Sequence, residues 1–125
     1  MSTIVFDVGA VIAYERRDRR ALALVENAKR DRATIIIPAN VLAQVWRNGQ
    51  RQSQLSALIQ MTSVSVAPVD EIDARHAGRL LGTSRTTDVV DASVIVVARR
   101  HHARVITSDV ADLRHLDPTI PLTAI

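Results

Sequence analysis

Short runs of β-branched and aromatic residues alternate along the chain with longer segments whose apolar residues recur every three or four positions. The apolar runs predict strands at residues 3–7, 34–37, 64–66, 104–107 and 121–125. The three-to-four-residue spacing predicts helices at residues 17–30, 38–49, 55–59, 70–81 and 88–101. Strands that alternate with helices form parallel sheets covered on both faces. We therefore expect an α/β fold, a three-layer α/β/α domain whose mostly parallel sheet has about five strands.

Several residues mark where the predicted helices begin and end. Pro38 suits the first turn of the helix that follows the second strand. Asp70 is expected to cap the N-terminus of its helix, and Gly82 is expected to stop the same helix. The polar residues 83–87 then separate this helix from the next one.

Length and composition restrict the class of protein. A chain of 125 residues has room for one core, so we expect a single domain over residues 1–125. The absence of cysteine excludes disulfides and thiolate metal sites. The apolar run 92–98 is much shorter than the roughly 20 residues that span a membrane, and the N-terminus does not resemble a signal peptide. We expect a soluble cytoplasmic protein without membrane contact.

The charged residues are biased towards arginine. There are 16 basic and 13 acidic residues, which gives a net charge of +3, and Lys29 is the sole lysine. A GC-rich genome explains this bias, although arginine is also the better bidentate ligand for phosphate. The densest run, Arg16, Arg17, Arg19 and Arg20, is either a solvated helix start or a surface that steers RNA phosphates.

Aspartates collect where the predicted strands end. Asp7 closes the first strand, and Asp109 lies just past the fourth. Asp91 lies in the first turn of the helix that leads into the fourth strand, with Asp88 three residues earlier on the same face. Converging carboxylates repel one another unless they share a cation, and oxygen ligands favour Mg²⁺ or Mn²⁺. Such an ion holds phosphate and activates water for phosphodiester hydrolysis.

Each aspartate also has a structural explanation. Asp88 is a possible N-cap, and Asp91 is favoured by the dipole of the same helix. Asp109 is a possible cap of the turn that begins SDVADL, with Asp112, three residues later, as its partner in a capping box. Asp7 is harder to explain in this way, because a carboxylate that ends an apolar strand needs a partner.

Other enzyme classes lack their motifs in this chain. There is no glycine-rich phosphate loop and no nucleophilic serine in a G-x-S-x-G context. Gly9 occupies the position of the second aspartate that a haloacid dehalogenase needs. The four histidines, at positions 76, 101, 102 and 115, show no metal-ligand spacing. Trp46 follows Leu42 and Val45 on one helix face, which favours a core or interface position.

Four segments carry a resemblance to a known family. They are IVFDVGAVIA around Asp7, IPANVLAQVWR at residues 37–47, DASVIVVA from Asp91 and VITSD ending at Asp109. In this order and spacing the chain resembles a PIN domain, the nuclease module of VapC-type toxins. The resemblance implies that Asp7, Asp91 and Asp109 are catalytic, metal-binding carboxylates. It adds Asp88 as a further ligand and Asp112 as a weaker one.

The same resemblance implies a function and partners. It implies a Mg²⁺- or Mn²⁺-dependent endoribonuclease, the toxin of a toxin–antitoxin pair, which acts on RNA, forms a homodimer and is neutralised by an antitoxin protein. Thr107 and Ser108 would hydrogen-bond a water or a phosphate, unless they serve ordinary turn chemistry. Gln44 departs from the family, which usually has glutamate there. The alternative is therefore a weak or inactive PIN-fold module that binds RNA or a protein partner.

Overall fold

The computed structural model describes residues 2–125. Its strands are β1 (Thr3–Phe6), β2 (Thr34–Pro38), β3 (Val64–Ala67), β4 (Arg104–Thr107) and β5 (Leu122–Ala124). Its helices are α1 (Val8–Glu15), α2 (Arg19–Arg30), α3 (Ala39–Val45), α4 (Ser53–Gln60), α5 (Glu71–Ser84), α6 (Val89–Arg100) and α7 (Val110–Leu116). A single 3₁₀ turn, Gly49–Arg51, lies between α3 and α4.

The five strands form one sheet in the order β3-β2-β1-β4-β5. Every neighbouring pair is parallel. The chain starts at the centre, builds outward through β2 and β3, and then returns to the other side of β1 with β4. The strand order therefore reverses between β1 and β4, where the carboxyl ends of the strands open a crevice. The residues that follow β1 and β4 flank this crevice.

Both faces of the sheet are buried, because successive residues of the central strands are inaccessible. Val5 and Phe6 in β1 are fully buried, as are Ile35 and Ile37 in β2, while Ile36 between them is 4% exposed. Successive side chains of a strand point to opposite faces, so helices must cover both. Each of these side chains stabilises the fold by roughly 1.5–3 kcal/mol relative to leaving it exposed. The predicted α/β architecture with a five-stranded sheet is confirmed.

Two helices were absent from the sequence prediction. The segment of α1 carries apolar residues around most of its circumference, with Ala10, Val11 and Tyr14 buried, so it shows no helical stripe. The segment of α7 has only seven residues, and its sequence pattern indicates only a turn. Both helices begin directly after an aspartate that the sequence prediction assigned to a metal site.

The boundaries of α2 and α5 also differ from the prediction. Residue Arg17 has a left-handed backbone (φ 60°), so α2 starts two residues later than expected and is capped by Asp18. Helix α5 passes through Gly82 and ends at Ser84, so the expected stop at Gly82 is wrong. The left-handed residue at its end is Arg85 (φ 58°). The expected N-cap at Asp70 is correct, and it forms a reciprocal capping box with Asp73.

None of the helices within residues 2–125 combines the length and the apolar character needed to cross a membrane.

Candidate metal centre

Asp7 is a buried carboxylate at the junction of β1 and α1. Its backbone amide donates a hydrogen bond to the Ile106 carbonyl of β4 (3.2 Å), and its Oδ1 accepts one from the Ala10 amide (2.8 Å). Asp7 is therefore the N-cap of α1, a role that the sequence interpretation missed. Burial raises the pKa of this carboxyl, while hydrogen bonds from Thr107, Ala10 and Gly9 oppose the rise. The side chain is only 3% exposed, so its oxygens are held in one place.

Asp88 and Asp91 lie together at the N-terminus of α6. Oδ1 of Asp88 accepts a hydrogen bond from the Asp91 amide (2.9 Å), so the structural interpretation of Asp88 as an N-cap is correct. Asp91 is half-buried in the first turn. Burial, followed by the negative charges of Asp88, Asp109, Asp7 and Asp112, raises the pKa of Asp91 to about 7.

Asp109 and Asp112 lie at the start of α7. The amide of Asp109 donates a hydrogen bond to Oγ1 of Thr107 (2.7 Å), which fixes the turn after β4. Asp109 occupies the N-cap position of α7, but it lacks the short capping hydrogen bond that Asp7 and Asp88 accept. The side-chain hydrogen bond with Asp112 raises the pKa of Asp109, and burial and the charge of Asp112 act in the same direction.

Three carboxylates approach one another closely enough to share an ion. One oxygen each from Asp91, Asp109 and Asp112 lies within 4.8 Å of the other two. The sequence analysis gives Asp112 as a weaker ligand than Asp88, whereas the structure places its carboxylate with those of Asp91 and Asp109. Its position in the first turn of α7 explains this, since a residue at the third position of a helix points back over the N-terminus.

A cleft of about 320 Å³ collects nearly all of the predicted site residues. We call it the acidic cleft, and its lining comprises Asp7, Val8, Gly9, Gln44, Asp88, Val90, Asp91, Ser108 and Asp109. Asp112 lies in an adjoining depression that shares Asp88 and Asp91 with the cleft. Thr107 is fully buried behind the cleft. Within residues 2–125, none of the five aspartates lies within ion-pair distance of a basic side chain.

Gly9 permits the start of α1 to lie against the loop after β4. A Cβ atom at this position would fall 1.8 Å from Oγ of Ser108 and 2.9 Å from its Cβ. Distances this short do not occur between non-bonded atoms, so any side chain at position 9 would displace Ser108. The missing side chain therefore lets the loop that carries Asp109 approach the helix that Asp7 caps.

Gln44 is an exposed residue of α3 whose side chain also lines the acidic cleft. Its amide oxygen is a possible neutral ligand or hydrogen-bond acceptor. A glutamine cannot carry negative charge or accept a proton at neutral pH. The position at which the resemblance implies a glutamate thus lies at the cleft itself.

Other residues considered in the sequence lie away from the acidic cleft. The four arginines at residues 16–20 lie at the surface, and within that run Arg20 alone is near a carboxylate, Asp18 at 3.9 Å. His115 contacts the Ser84 carbonyl through Nε2 (2.9 Å). Trp46 is 38% exposed, and its ring lies against Gly49. The sequence analysis expects a core or an interface position for Trp46, and the core position is therefore wrong.

Comparison with known proteins agrees with this architecture. The sequence profile of the PIN domain matches residues 4–117. A search among curated proteins finds no match. The fold is similar to VapBC2 from Rickettsia felis bound to a DNA fragment from its promoter, with a TM-score of 0.77, 15% identity and 98% of each chain covered. It is also similar to VapBC-1 from nontypeable Haemophilus influenzae, with a TM-score of 0.71, 15% identity, and 98% of this chain and 97% of the other covered.

A third similar structure is the VapC20 toxin of Mycobacterium tuberculosis, described as cleaving the sarcin–ricin loop. Here the TM-score is 0.61 and the identity 20%, with 82% of this chain and 86% of the other covered. These identities establish a shared fold, while the profile match extends over most of the sequence. The chain therefore belongs to the PIN-domain family.

Proposed function

We propose that this protein is a metal-dependent endoribonuclease that acts as the toxin of a toxin–antitoxin pair. The observation that carries the proposal is the convergence of five aspartates at one edge of the sheet with no basic partner among residues 2–125. Such an arrangement is electrostatically unfavourable in isolation, and it is the arrangement that a divalent cation stabilises.

The ligand chemistry of the acidic cleft fits Mg²⁺ or Mn²⁺. All the available donors are oxygens, and three of the carboxylates lie within 4.8 Å of one another. By this geometry Asp91, Asp109 and Asp112 would hold the ion. The resemblance adds Asp7, which lines the same cleft, as a further ligand, and Asp88 would add negative charge. A bound ion would neutralise part of the phosphate charge and activate a water molecule.

The protein's own groups prepare this site before any ion binds. The Ala10 amide of α1 donates a hydrogen bond that orients the Asp7 carboxylate. Oγ1 of Thr107 accepts a hydrogen bond from the Asp109 amide, so the backbone that carries a second carboxylate is also held in place. This preorganisation reduces the entropy that metal binding would otherwise cost.

The comparisons support RNA as the substrate and an antitoxin as the partner. One similar structure is described as a toxin that cleaves the sarcin–ricin loop, and others are described as VapBC or a toxin–antitoxin complex. The resemblance of the sequence to PIN domains also implies a homodimer, which we propose for this chain. Sedimentation equilibrium tests the dimer, and a monomer at micromolar concentration would contradict it.

The direct test of the nuclease is RNA cleavage with Mn²⁺ by the natural protein and by Asp7→Asn. Asparagine remains a good N-cap, so α1 should stay intact while the charge of the ligand is lost. We expect the substitution to abolish cleavage. Asp31→Asn is the matched control, because Asp31 is an exposed aspartate at the C-terminus of α2, outside the acidic cleft. Full activity of Asp7→Asn would refute the assignment.

Gln44 supports a second candidate function, a PIN-fold module that binds RNA or a protein with weak or no catalysis. The neutral amide removes one negative charge from the cleft that it lines, which lowers metal affinity unless Asp88 compensates. Gln44→Glu separates the two candidates. If the natural protein is inactive and the glutamate variant cleaves RNA, the binding module is correct for this chain.

A further inference from the structure

A second groove lies beside the acidic cleft, between the C-terminal half of α5 and α7. Its volume is about 500 Å³, larger than that of the acidic cleft. Its walls carry the side chains of His76, Arg79, Arg85, Arg99 and His115. No aspartate or glutamate of residues 2–125 lines it, so we call it the basic groove.

Two of these arginines carry charge that nothing nearby neutralises. Arg99 is engaged, since its guanidinium contacts the buried carboxylate of Asp117 at 2.8–2.9 Å. Arg79 and Arg85 are exposed and, in the part of the chain that the structure describes, form no ion pair. Their guanidinium groups remain available for a bidentate anionic ligand.

The basic groove is continuous with the acidic cleft. A depression lined in part by Thr86, Thr87 and Asp112 connects them. It shares His115 with the basic groove and Asp91 with the acidic cleft. The hydrogen bond between His115 and the Ser84 carbonyl holds α7 against the end of α5 at this junction. A ligand that extends out of the cleft in this direction therefore reaches the groove that Arg79 and Arg85 line.

We propose that the basic groove binds backbone phosphates of the RNA strand on one side of the scissile bond, through Arg79 and Arg85. This proposal rests on the proposed function, because it assigns the substrate of that site. The carboxylates of the acidic cleft repel the phosphates of RNA everywhere except next to a bound cation. Arg79 and Arg85, whose charges are not neutralised by an ion pair, attract those phosphates independently of base sequence.

The backbone of Arg85 provides a sharp experimental test. Arg85 is the C-cap that follows α5, and its backbone lies in the left-handed region (φ 58°), where glycine is favoured over arginine. Arg85→Gly should therefore keep or raise the melting temperature while it removes the charge. Arg32→Gly is the matched control, since Arg32 is an exposed arginine with φ 56° after α2 and lines none of these grooves.

The experiment measures binding of a short fluorescein-labelled single-stranded RNA in EDTA, by anisotropy between about 50 and 200 mM salt. We expect Arg85→Gly to weaken binding about fivefold and to lower the salt slope by about 0.7, the value for a single phosphate on a single strand. Arg79→Gln combined with Arg85→Gly should lower the slope by about twice as much. Arg32→Gly should bind like the natural protein.

The outcomes separate this proposal from the nuclease assignment. Weaker RNA binding by Arg85→Gly supports the groove even if the natural protein shows no cleavage with Mn²⁺. Unchanged affinity and slope in the double variant overturn the groove, even if cleavage with Mn²⁺ is normal. If the double variant loses binding of an acidic peptide but not of RNA, the groove is a protein-docking surface and the proposal is wrong.

Discussion

Asp91 has a carboxyl whose pKa, about 7, differs from its ordinary value of 3.8. The folded protein therefore binds this proton more tightly than the unfolded chain does. The stability that the proton provides is complete below about pH 4 and is lost as the pH rises through 7. Asp7 and Asp109 shift in the same direction. We predict that the melting temperature of the metal-free protein falls between pH 5 and pH 8.

Thermal melts of the natural protein and of Asp91→Asn check this prediction. Asparagine is neutral at every pH, so the variant should show a smaller fall over the same interval. The lowered pKa of Asp117 affects stability only in strongly acidic solution, which lies outside this interval. A metal-free protein that becomes more stable from pH 5 to pH 8, with Asp91→Asn unchanged in slope, would contradict the prediction.

Gly9 gives a second prediction at the scale of one residue. Gly9→Ala places a methyl group against both Oγ and Cβ of Ser108, so the loop before Asp109 must move. We expect a stability cost of about 1 kcal/mol and a weaker affinity for Mn²⁺, measured by urea unfolding and calorimetry. Adding Ser108→Gly removes both clashing atoms and should restore the affinity. Failure of this rescue would show that Gly9 matters for another reason.

At the helix N-termini, sequence reasoning singled out the aspartates but missed two of the helices that begin directly after them. Asp7 and Asp88 cap helices, and both also line the acidic cleft. The sequence treats capping and metal binding as competing explanations, but a carboxylate has two oxygens, so capping by these residues does not exclude the proposed metal binding. The short helix after Asp109 was missed for a related reason, because seven residues provide too little periodicity to recognise.

The two roles of Asp88 can be separated at the N-terminus of α6. Asp88→Asn keeps the cap and removes the charge, so stability should hold within a few tenths of a kcal/mol. The pKa of Asp91 should fall, because the charge of Asp88 is among the causes that raise it. Asp88→Ala also loses the cap and should cost about 1 kcal/mol. Carboxyl titration by NMR with urea unfolding measures both effects. An unchanged Asp91 pKa in Asp88→Asn would contradict this account.

For the molecule as a whole, the strand pattern was sufficient to predict the sheet. Apolar runs flanked by helices implied parallel strands, and the strand ends implied where acidic residues would meet. The strand order itself, with β1 at the centre, depends on long-range packing that no local pattern encodes. The position of Arg79 and Arg85 on one groove depends on the same packing, so the sequence could not group them.

The whole chain is expected to unfold as one unit. The main cluster of buried residues draws on all the strands except β5 and on most of the helices. Differential scanning calorimetry should therefore give one transition whose calorimetric and van't Hoff enthalpies agree. Two separate transitions would contradict the prediction of a single domain.

Saturating Mn²⁺, at about 100 times its dissociation constant, should add about 2.7 kcal/mol of stability.

The central claim is that the acidic cleft is a metal site, and calorimetric titration with Mn²⁺ tests it most directly. The natural protein should bind Mn²⁺, and Asp7→Asn should lose that binding while its circular dichroism spectrum stays unchanged. Asp31→Asn should bind like the natural protein. No binding by the natural protein at Mn²⁺ concentrations up to about millimolar, the weak end of protein affinities for hard divalent cations, would contradict the claim.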